Sequence, residues 1–321
     1  MSEPFVSVIL PVYNRSISLA RAIDSVLEQD PPPDELIVVD DGSDEDLSPI
    51  LLRYTGRIVT HRQSNGGVAS ARNAGVRLAR GRWLAFIDSD DEWLPGHMAT
   101  LYRDLATVDP DVVVHLGDMR LKGRGYDQSL FALKNATTFP VDRAVRVERP
   151  IFLVSSGMSC QCAAIRRDAF ALVGGFDETM RLYEDTALFG RLLFEGAFVV
   201  TGRELAIVHR LDGDPVALTG LERREPVYAR RTYVHMLEAY LDMDMTPAER
   251  RRITGQLSGA LLRLAQAEAE TGGGRPWTTL VKSARIHYNP LKGWAKAIFA
   301  AMLGRRGYAL LLDRQSRIDR S

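Results

Sequence analysis

A chain of 321 residues suggests one large domain or two modest ones with an ample core, and 45% hydrophobic and 26% charged content is that of an ordinary soluble protein. Lys plus Arg equals Asp plus Glu at 41 each, so no global field points to nucleic acid as a partner. The balance conceals an asymmetry: residues 271–321 carry 10 basic and 2 acidic side chains, a local +8 against −8 in residues 1–270. Cys160 and Cys162 are the only cysteines, too few for a zinc site and poorly spaced for a disulfide, and read as reduced core thiols. The N-terminus shows no basic region followed by a long apolar stretch, and the apolar run Ala297 to Leu303 is too short to span a bilayer. A cytoplasmic location is the expectation.

Strands and helices alternate from the start. Phe5 to Leu10 reads as a strand closed by Pro11-Val12-Tyr13-Asn14, and Ser16 to Gln29 as a helix with Leu19, Ala22, Ile23, Val26 and Leu27 on one face. Asp30 followed by three prolines breaks it. Glu35 to Val39 predicts a second strand ending in Asp40-Asp41-Gly42-Ser43, and Arg57 to His61 a third ending in a polar turn that reaches Asn65-Gly66-Gly67. Val68 to Arg80 is helical. Leu84 to Ile87 is an apolar run with the look of a strand buried on both faces, and it stops in Asp88-Ser89-Asp90-Asp91. Four strands linked by helices, each ending in polar or Gly-rich residues, describe an α/β fold with a mostly parallel sheet and its loops gathered at one edge.

The strand ends have a chemical reading. Carboxylates spaced i, i+2 in a crevice repel one another unless a positive charge lies between them, and a hard divalent cation meets that need. Tyr13 and Asn14 offer a flat ring and an amide, Asp40 an acceptor for a base N–H. Asn65 with Gly66-Gly67 allows close backbone approach before a helix N-terminus that attracts anions, and Arg72 lies one turn into that helix. Taken singly, Asp40 and Asn65 read equally well as loop caps. There is no G-x-G-x-x-G, Walker A, H-E-x-x-H or G-x-S-x-G, and the six histidines lack metal-ligand spacing.

Val8 to Arg15, Leu36 to Ser43, Asn65 to Asn73 and Phe86 to Asp91, in this order, resemble the family 2 glycosyltransferases of GT-A fold. The resemblance covers residues 5 to about 212. It implies inverting transfer from a nucleotide diphosphate sugar, usually with Mg²⁺ or Mn²⁺. By that similarity Pro11, Tyr13, Asp40, Asn65 and Arg72 hold the nucleoside, with Val12, Asn14 and Ser89 in the same donor pocket. Asp88 touches the ribose or the metal, and Asp90 ligates the metal.

Further along, Asp111 to Leu116 predicts a strand, Lys122 to Asn135 a polar loop, Gly157 to Ile165 a strand and Arg167 to Leu172 a short helix. Gly174 to Glu178 then precedes a helix opened by Glu184-Asp185, where acids also suit the helix dipole. The resemblance makes this the acceptor segment: Asp185 is the base, Glu184 positions it, and Trp93, Gly175 and Phe176 face the acceptor. A carboxylate at its ordinary pKa of about 3.9 must take the proton as attack develops, which requires hydrogen-bond reach. Related enzymes often carry Arg-x-His after the next strand, Leu205 to Val208; here Asp212 stands at the histidine's place and is a candidate third ligand. The Gln-x-x-Arg-Trp of processive members is missing, so single-sugar addition is expected.

The expected organisation is a catalytic domain over 1–215, with a nucleotide-sugar half to about 110 and an acceptor half beyond, and an α-helical extension over 216–321. Glu222 to Leu241 and Pro247 to Glu270 predict its helices, which also offer a surface for a homodimer. Residues 275–321 mix Trp277, Trp294, Ile298 and Phe299 with lysines and arginines. They read either as a docked helix with a solvated basic face or as a peripheral contact with anionic membrane, near a lipid-linked or saccharide acceptor. A metal-dependent nucleotidyltransferase and a non-catalytic sugar-binding relative are the alternatives. The first wants a basic Gly-rich loop after strand one, the second a lost Asp90 or Asp185, and neither is seen.

Overall fold

The computed structural model describes residues 6–123, 125–134, 139–151, 158–210, 220–286, 298 and 301–302. Two compact units divide the chain, Met1–Asp214 and Pro215–Ser321. In the first, β1 (Val6–Val12), β2 (Glu35–Asp40), β3 (Val59–Arg62) and β4 (Trp83–Phe86) are joined through helices α1 (Ser16–Leu27), α2 (Ser48–Leu51) and α3 (Val68–Leu78). All seven β1 residues and all six of β2 are buried, as a strand covered on both faces requires. Then follow β5 (Glu92–Trp93), α4 (His97–Leu105), β6 (Val112–Gly123), β7 (Tyr126–Ser129), α5 (Leu130–Leu133), β8 (Val145–Val147), β9 (Ala163–Arg166), α6 (Arg167–Leu172), α7 (Glu184–Leu192) and β10 (Ala197–His209).

The strand order is β3-β2-β1-β4-β9-β6-β10-β5, with β7 on β6 and β8 on β10. β1 pairs in parallel with both β2 and β4, so the chain winds to one side of β1 and then to the other. That reversal opens a crevice at the carboxyl ends of β1 and β4, the place where open α/β sheets bind ligands. β4 pairs with β1 only from Val6 to Ile9, while β1 runs on beside β2 to Val12. Pro11 lies in that overhang, where the ladder to β4 has ended and a missing N–H costs least. β9 is antiparallel to both β4 and β6, so the acceptor half joins the sheet with reversed polarity.

α3 sits unusually close to the sheet because its inward face is built from Ala69, Ala71, Arg72, Ala74 and Gly75. A Cβ at Gly75 would lie 2.5 Å from Ile9 Cγ2 and 3.3 Å from Val39 Cγ2. The small residues therefore let one arginine reach the crevice from a helix packed flat on β1.

The expected loop over 122–135 is in its described part a hairpin strand and a helical turn, because the buried Asp118 carboxylate accepts from the Ser129 hydroxyl and from Phe131 N–H at 3.0 Å. The expected strand before Ile165 begins only at Ala163, after a 3₁₀ turn over Cys160–Cys162 whose thiols are buried and unbridged.

The second unit is helical: α8 (Leu221–Arg224), α9 (Pro226–Leu241), α10 (Pro247–Thr271) and α11 (Pro276–Arg285). Pro226 lacks the N–H to continue a helix and splits the single one expected over 222–241. A capping box opens α10, Thr246 Oγ1 accepting from Glu249 N–H and Glu249 from Thr246 N–H. Leu262, Ala265 and Leu280 form a core on which Ile298 and Ala301 pack. No helix among the described residues is long and apolar enough to cross a membrane.

Replacing Gly75 by Val should destabilise the fold by about 1–3 kcal/mol through overpacking against β1. Urea denaturation checks this, and an unchanged midpoint would contradict the close packing of α3.

Candidate active site

The two acidic segments meet through one side chain. Arg72, on the inward face of α3 and 2% exposed, donates Nη2–H to Asp88 Oδ1 at 2.7 Å and Nη1–H to Glu184 Oε1 at 2.7 Å. Its guanidinium lies over the Phe176 ring, 5.3 Å from the centroid. Burial works against its charge, but the surrounding acids, Asp88 foremost, hold its pKa above the ordinary arginine value. Asp88 is fixed from the far side by Gln161, whose Nε2–H donates to Oδ2. Asp88 lies two residues past β4 and Glu184 begins α7, so segments 96 positions apart share one ion-pair chain.

Asp185 adjoins this chain. Its Oδ1 accepts from Thr186 N–H at 2.6 Å, and Oδ2 takes no hydrogen bond among the described residues. Burial first, and then the charge of Glu184, push its carboxyl up to about 7, against the pull of Arg72 and the Thr186 amide. That is far above the ordinary carboxylate value assumed from the sequence, and it suits a base working near neutral pH. The preceding residue, Tyr183, holds φ at +64°, a left-handed conformation costly for a bulky residue, where the chain turns into α7.

On the donor side the loops after β1 and β2 are laced together. Tyr13 Oη–H and Asn14 Nδ2–H both donate to Asp44 Oδ2, at 3.3 and 3.1 Å, and Asn14 Oδ1 accepts from Asp44 N–H at 2.7 Å. Val12 accepts Asp41 N–H at 2.9 Å through its carbonyl. Asp40 accepts from Ser43 N–H at 2.8 Å and pairs with Arg62. The turn leading into α3 is answered from within at the two glycine amides that precede the helix. Asp41 accepts from Gly66 N–H at 2.9 Å, Gly67 N–H at 2.8 Å and Gln63 Nε2–H at 2.8 Å. Asn65 remains exposed at the crest of this turn, beside Gly42, where φ is +73° and a Cβ would lie 2.7 Å from Asn65 N.

The acidic turn splits its duties. Asp91 is buried, accepts His209 N–H at 2.9 Å, and is pushed well above the ordinary carboxylate range by burial and then by Asp90 and Asp88. Ser89 is buried too. Asp90 keeps 25% of its side chain exposed, with Arg15 Nη2 at 3.3 Å and Arg21 bonded to its carbonyl. Among the described residues no three His, Cys, Asp or Glu side chains converge as a closed metal cage. Asp88, expected as a ligand, has both oxygens committed to Arg72 and Gln161. Asp90, partly exposed beside Arg15, still fits as a ligand of Mg²⁺ or Mn²⁺, which take one or two carboxylates and complete their shells with substrate phosphates and water. His209 is turned to Glu92, 2.9 Å from Nε2 to Oε1, and Asp212 lies outside the described residues.

The expected acceptor surface is corrected. Trp93 is 3% exposed, stacked on His97 at 3.8 Å and donating Nε1–H to Gln161 O at 2.9 Å. Phe176 is buried against Phe86, with centroids 5.3 Å apart. Both support the site from behind. Asn73 clamps the Phe176 backbone, accepting its N–H at 3.0 Å and donating to its carbonyl at 2.9 Å, which leaves no room for a side chain at Gly175. Arg72, expected to hold the nucleoside, is likewise internal. The residues that the sequence reading missed are Gln161, Arg15, Asp41 and Asn73. Gln161 had a visible signal: a lone amide within the otherwise small and apolar Cys160-to-Ile165 run must find partners if buried.

The profile of Glycosyl transferase family 2 matches residues 7–174, over half of the chain, and the chain belongs to that family. It is a glycosyltransferase. An uncharacterized glycosyltransferase of Rickettsia prowazekii is 28% identical over 232 residues, 71% of each chain. Among solved structures, S. aureus TarS 1–349 in complex with UDP-GlcNAc matches with TM-score 0.65 at 19% identity, covering 95% of this chain and 92% of TarS. The mannosyltransferase PcManGT of Pyrobaculum calidifontis, in complex with GDP-Man and Mn²⁺, matches with TM-score 0.58 at 19% identity, over 94% and 87%. The fold is therefore GT-A.

Replacing Asp41 by Ala strips three hydrogen bonds from the turn before α3 and should cost at least about 2 kcal/mol. Chemical denaturation measures it; a loss under about 0.5 kcal/mol would mean that the Gly66 and Gly67 amides find other partners.

Proposed function

We propose that the chain transfers one sugar, with inversion, from a nucleotide diphosphate sugar, UDP-linked, to a hydroxyl of a saccharide or lipid-linked acceptor. The observation that carries this reading is Asp185: a half-buried carboxyl with one oxygen held by a backbone amide and the other without a hydrogen bond among the described residues, tied through Glu184 and Arg72 to the acidic end of β4. Inverting transfer requires a base on one face of the anomeric carbon and charge stabilisation at the leaving diphosphate on the other. Asp185 Oδ2 takes the proton of the incoming hydroxyl as the new bond forms. Asp90 would hold a divalent cation, which when bound neutralises charge on the diphosphate. Arg15 and Arg21 beside Asp90 add positive charge on that side. The donor base lies by Tyr13, Asn14 and Asp40, where the laced β1 and β2 loops form a rigid shelf.

α11 gives a place for contact with anionic lipid. Trp277 and Val281 are each 51% exposed one turn apart, with Lys282 and Arg285 alongside, while Leu280 and Ser283 face inward. The arrangement suits an interfacial helix, an aromatic and an aliphatic group beside cations. Replacing Trp277 and Val281 together by Ser should reduce sedimentation of the full chain with phosphatidylglycerol vesicles at low salt; equal binding would sink the membrane contact.

The catalytic reading is tested with a panel of UDP- and GDP-sugars and saccharide acceptors. Nucleoside diphosphate, and not pyrophosphate, should appear with the glycosylated product. Asp185→Asn should lower turnover by about 10²–10⁴-fold without loss of nucleotide binding. Because the base must be ionised and its carboxyl is raised to about 7, kcat/KM should fall through an acid limb near pH 7 and level off above pH 8. A limb below pH 5, or Asp185→Asn at full activity, would remove Asp185 from the role.

A further inference from the structure

We propose that Arg72 is a positioning residue, an internal strut joining Asp88 on the donor side to Glu184 on the acceptor side and thereby fixing the base against the donor. The proposal rests on the glycosyl-transfer reading above and deepens it. Three geometric facts support it. Both terminal nitrogens of the guanidinium are spent on carboxylates at 2.7 Å, one from each half of the catalytic unit. The side chain is 2% exposed and seated on Phe176, so no guanidinium edge is presented to a nucleoside. The helix carrying it is drawn onto β1 by Gly75, and the next residue, Asn73, pins the segment leading to α7 by two hydrogen bonds to the Phe176 backbone. Two consecutive residues of α3 thus set where the acceptor segment stands.

The arginine is a costly choice for mere packing. Its Nε is buried without a hydrogen-bond partner among the described residues, and its charge is answered only while both carboxylates stay in place. A lysine, a point charge on a flexible stem, cannot span two carboxylates with the same planar fork. The strut also acts electrostatically on the base. Asp185 is faced by Arg72 from α3, Asp88 from the end of β4, Cys160 and Cys162 from the 3₁₀ turn, and Glu184 from its own helix. Within this group Arg72 is the cation that favours an ionised Asp185.

The test compares Arg72→Gln, which removes both the charge and the two-pronged donation to the carboxylates, with Arg72→Lys, which keeps the charge and loses the fork. Readouts are calorimetric binding of UDP and GDP, steady-state transfer kinetics, and ¹³C titration of the Asp185 carboxyl. The strut predicts nucleotide Kd and donor KM within about threefold of wild type, kcat down about 100-fold in Arg72→Gln with about tenfold recovery in Arg72→Lys, and an Asp185 midpoint raised by Arg72→Gln. Nucleotide affinity lost by tenfold or more with the Asp185 midpoint unmoved overturns it and makes Arg72 a nucleoside contact. Should the wild type transfer no sugar from any donor, the functional reading falls by itself. The carboxyl titration then decides the strut alone: a raised midpoint upholds it and an unmoved one overturns it.

Discussion

A guanidinium taken out of water must have its charge answered at close range, and around Arg72 that demand organises the catalytic unit. Asp88 sits at the end of a buried parallel strand and Glu184 at the start of a helix, 96 positions apart, and both reach the same cation. Glu184 could not be buried alone without a large desolvation cost, and the buried arginine needs both carboxylates, of which Asp88 stays partly exposed. The three ionic groups therefore hold one another in the crevice, and the neighbours Asp90 and Asp185 are carried along with them. Local chemistry then divides the labour: Asp90 stays partly exposed, while burial raises Asp185 toward neutrality.

The α/β sheet was readable because its strands are short apolar runs ending in polar turns, and β1, β2 and β4 are buried throughout. Boundaries moved by a residue or two where the ladder continues past the apolar run, as at Pro11 and Val12 beside Val39 and Asp40. The antiparallel β9 was not legible as such, since strand direction depends on a partner far away in the chain. Neither was the hairpin after β6: Tyr126 to Ser129 is polar and mostly exposed, and its order comes from pairing and from the distant Asp118 cap.

For the site, residue types were visible and their orientations were not. The motif that includes Arg72 and Asn73 stands out in sequence, but whether an arginine points at a ligand or across to another acid depends on how closely its helix approaches the sheet. The same holds for Trp93 and Phe176, whose aromatic character reads as a sugar platform until burial shows them packed behind the crevice. The Gly66 and Gly67 amides are likewise taken from within, by Asp41 of the neighbouring strand end, a pairing that the sequence did not show. In the helical unit, the buried Glu268 accepts from Arg231 at 3.0 Å and Thr279 at 2.7 Å, a polar lock joining α9, α10 and α11 that helical periodicity does not reveal.

The central claim is that both acid segments serve one bound donor, with the arginine between them left in place. A crystal structure with an unreactive nucleotide diphosphate sugar analogue tests it directly. The account predicts the sugar ring between Asp90 and Asp185, the diphosphate on the Asp90 side, and both Arg72 ion pairs intact. A sugar bound away from Asp185, or Arg72 swung out onto the nucleotide, would contradict it.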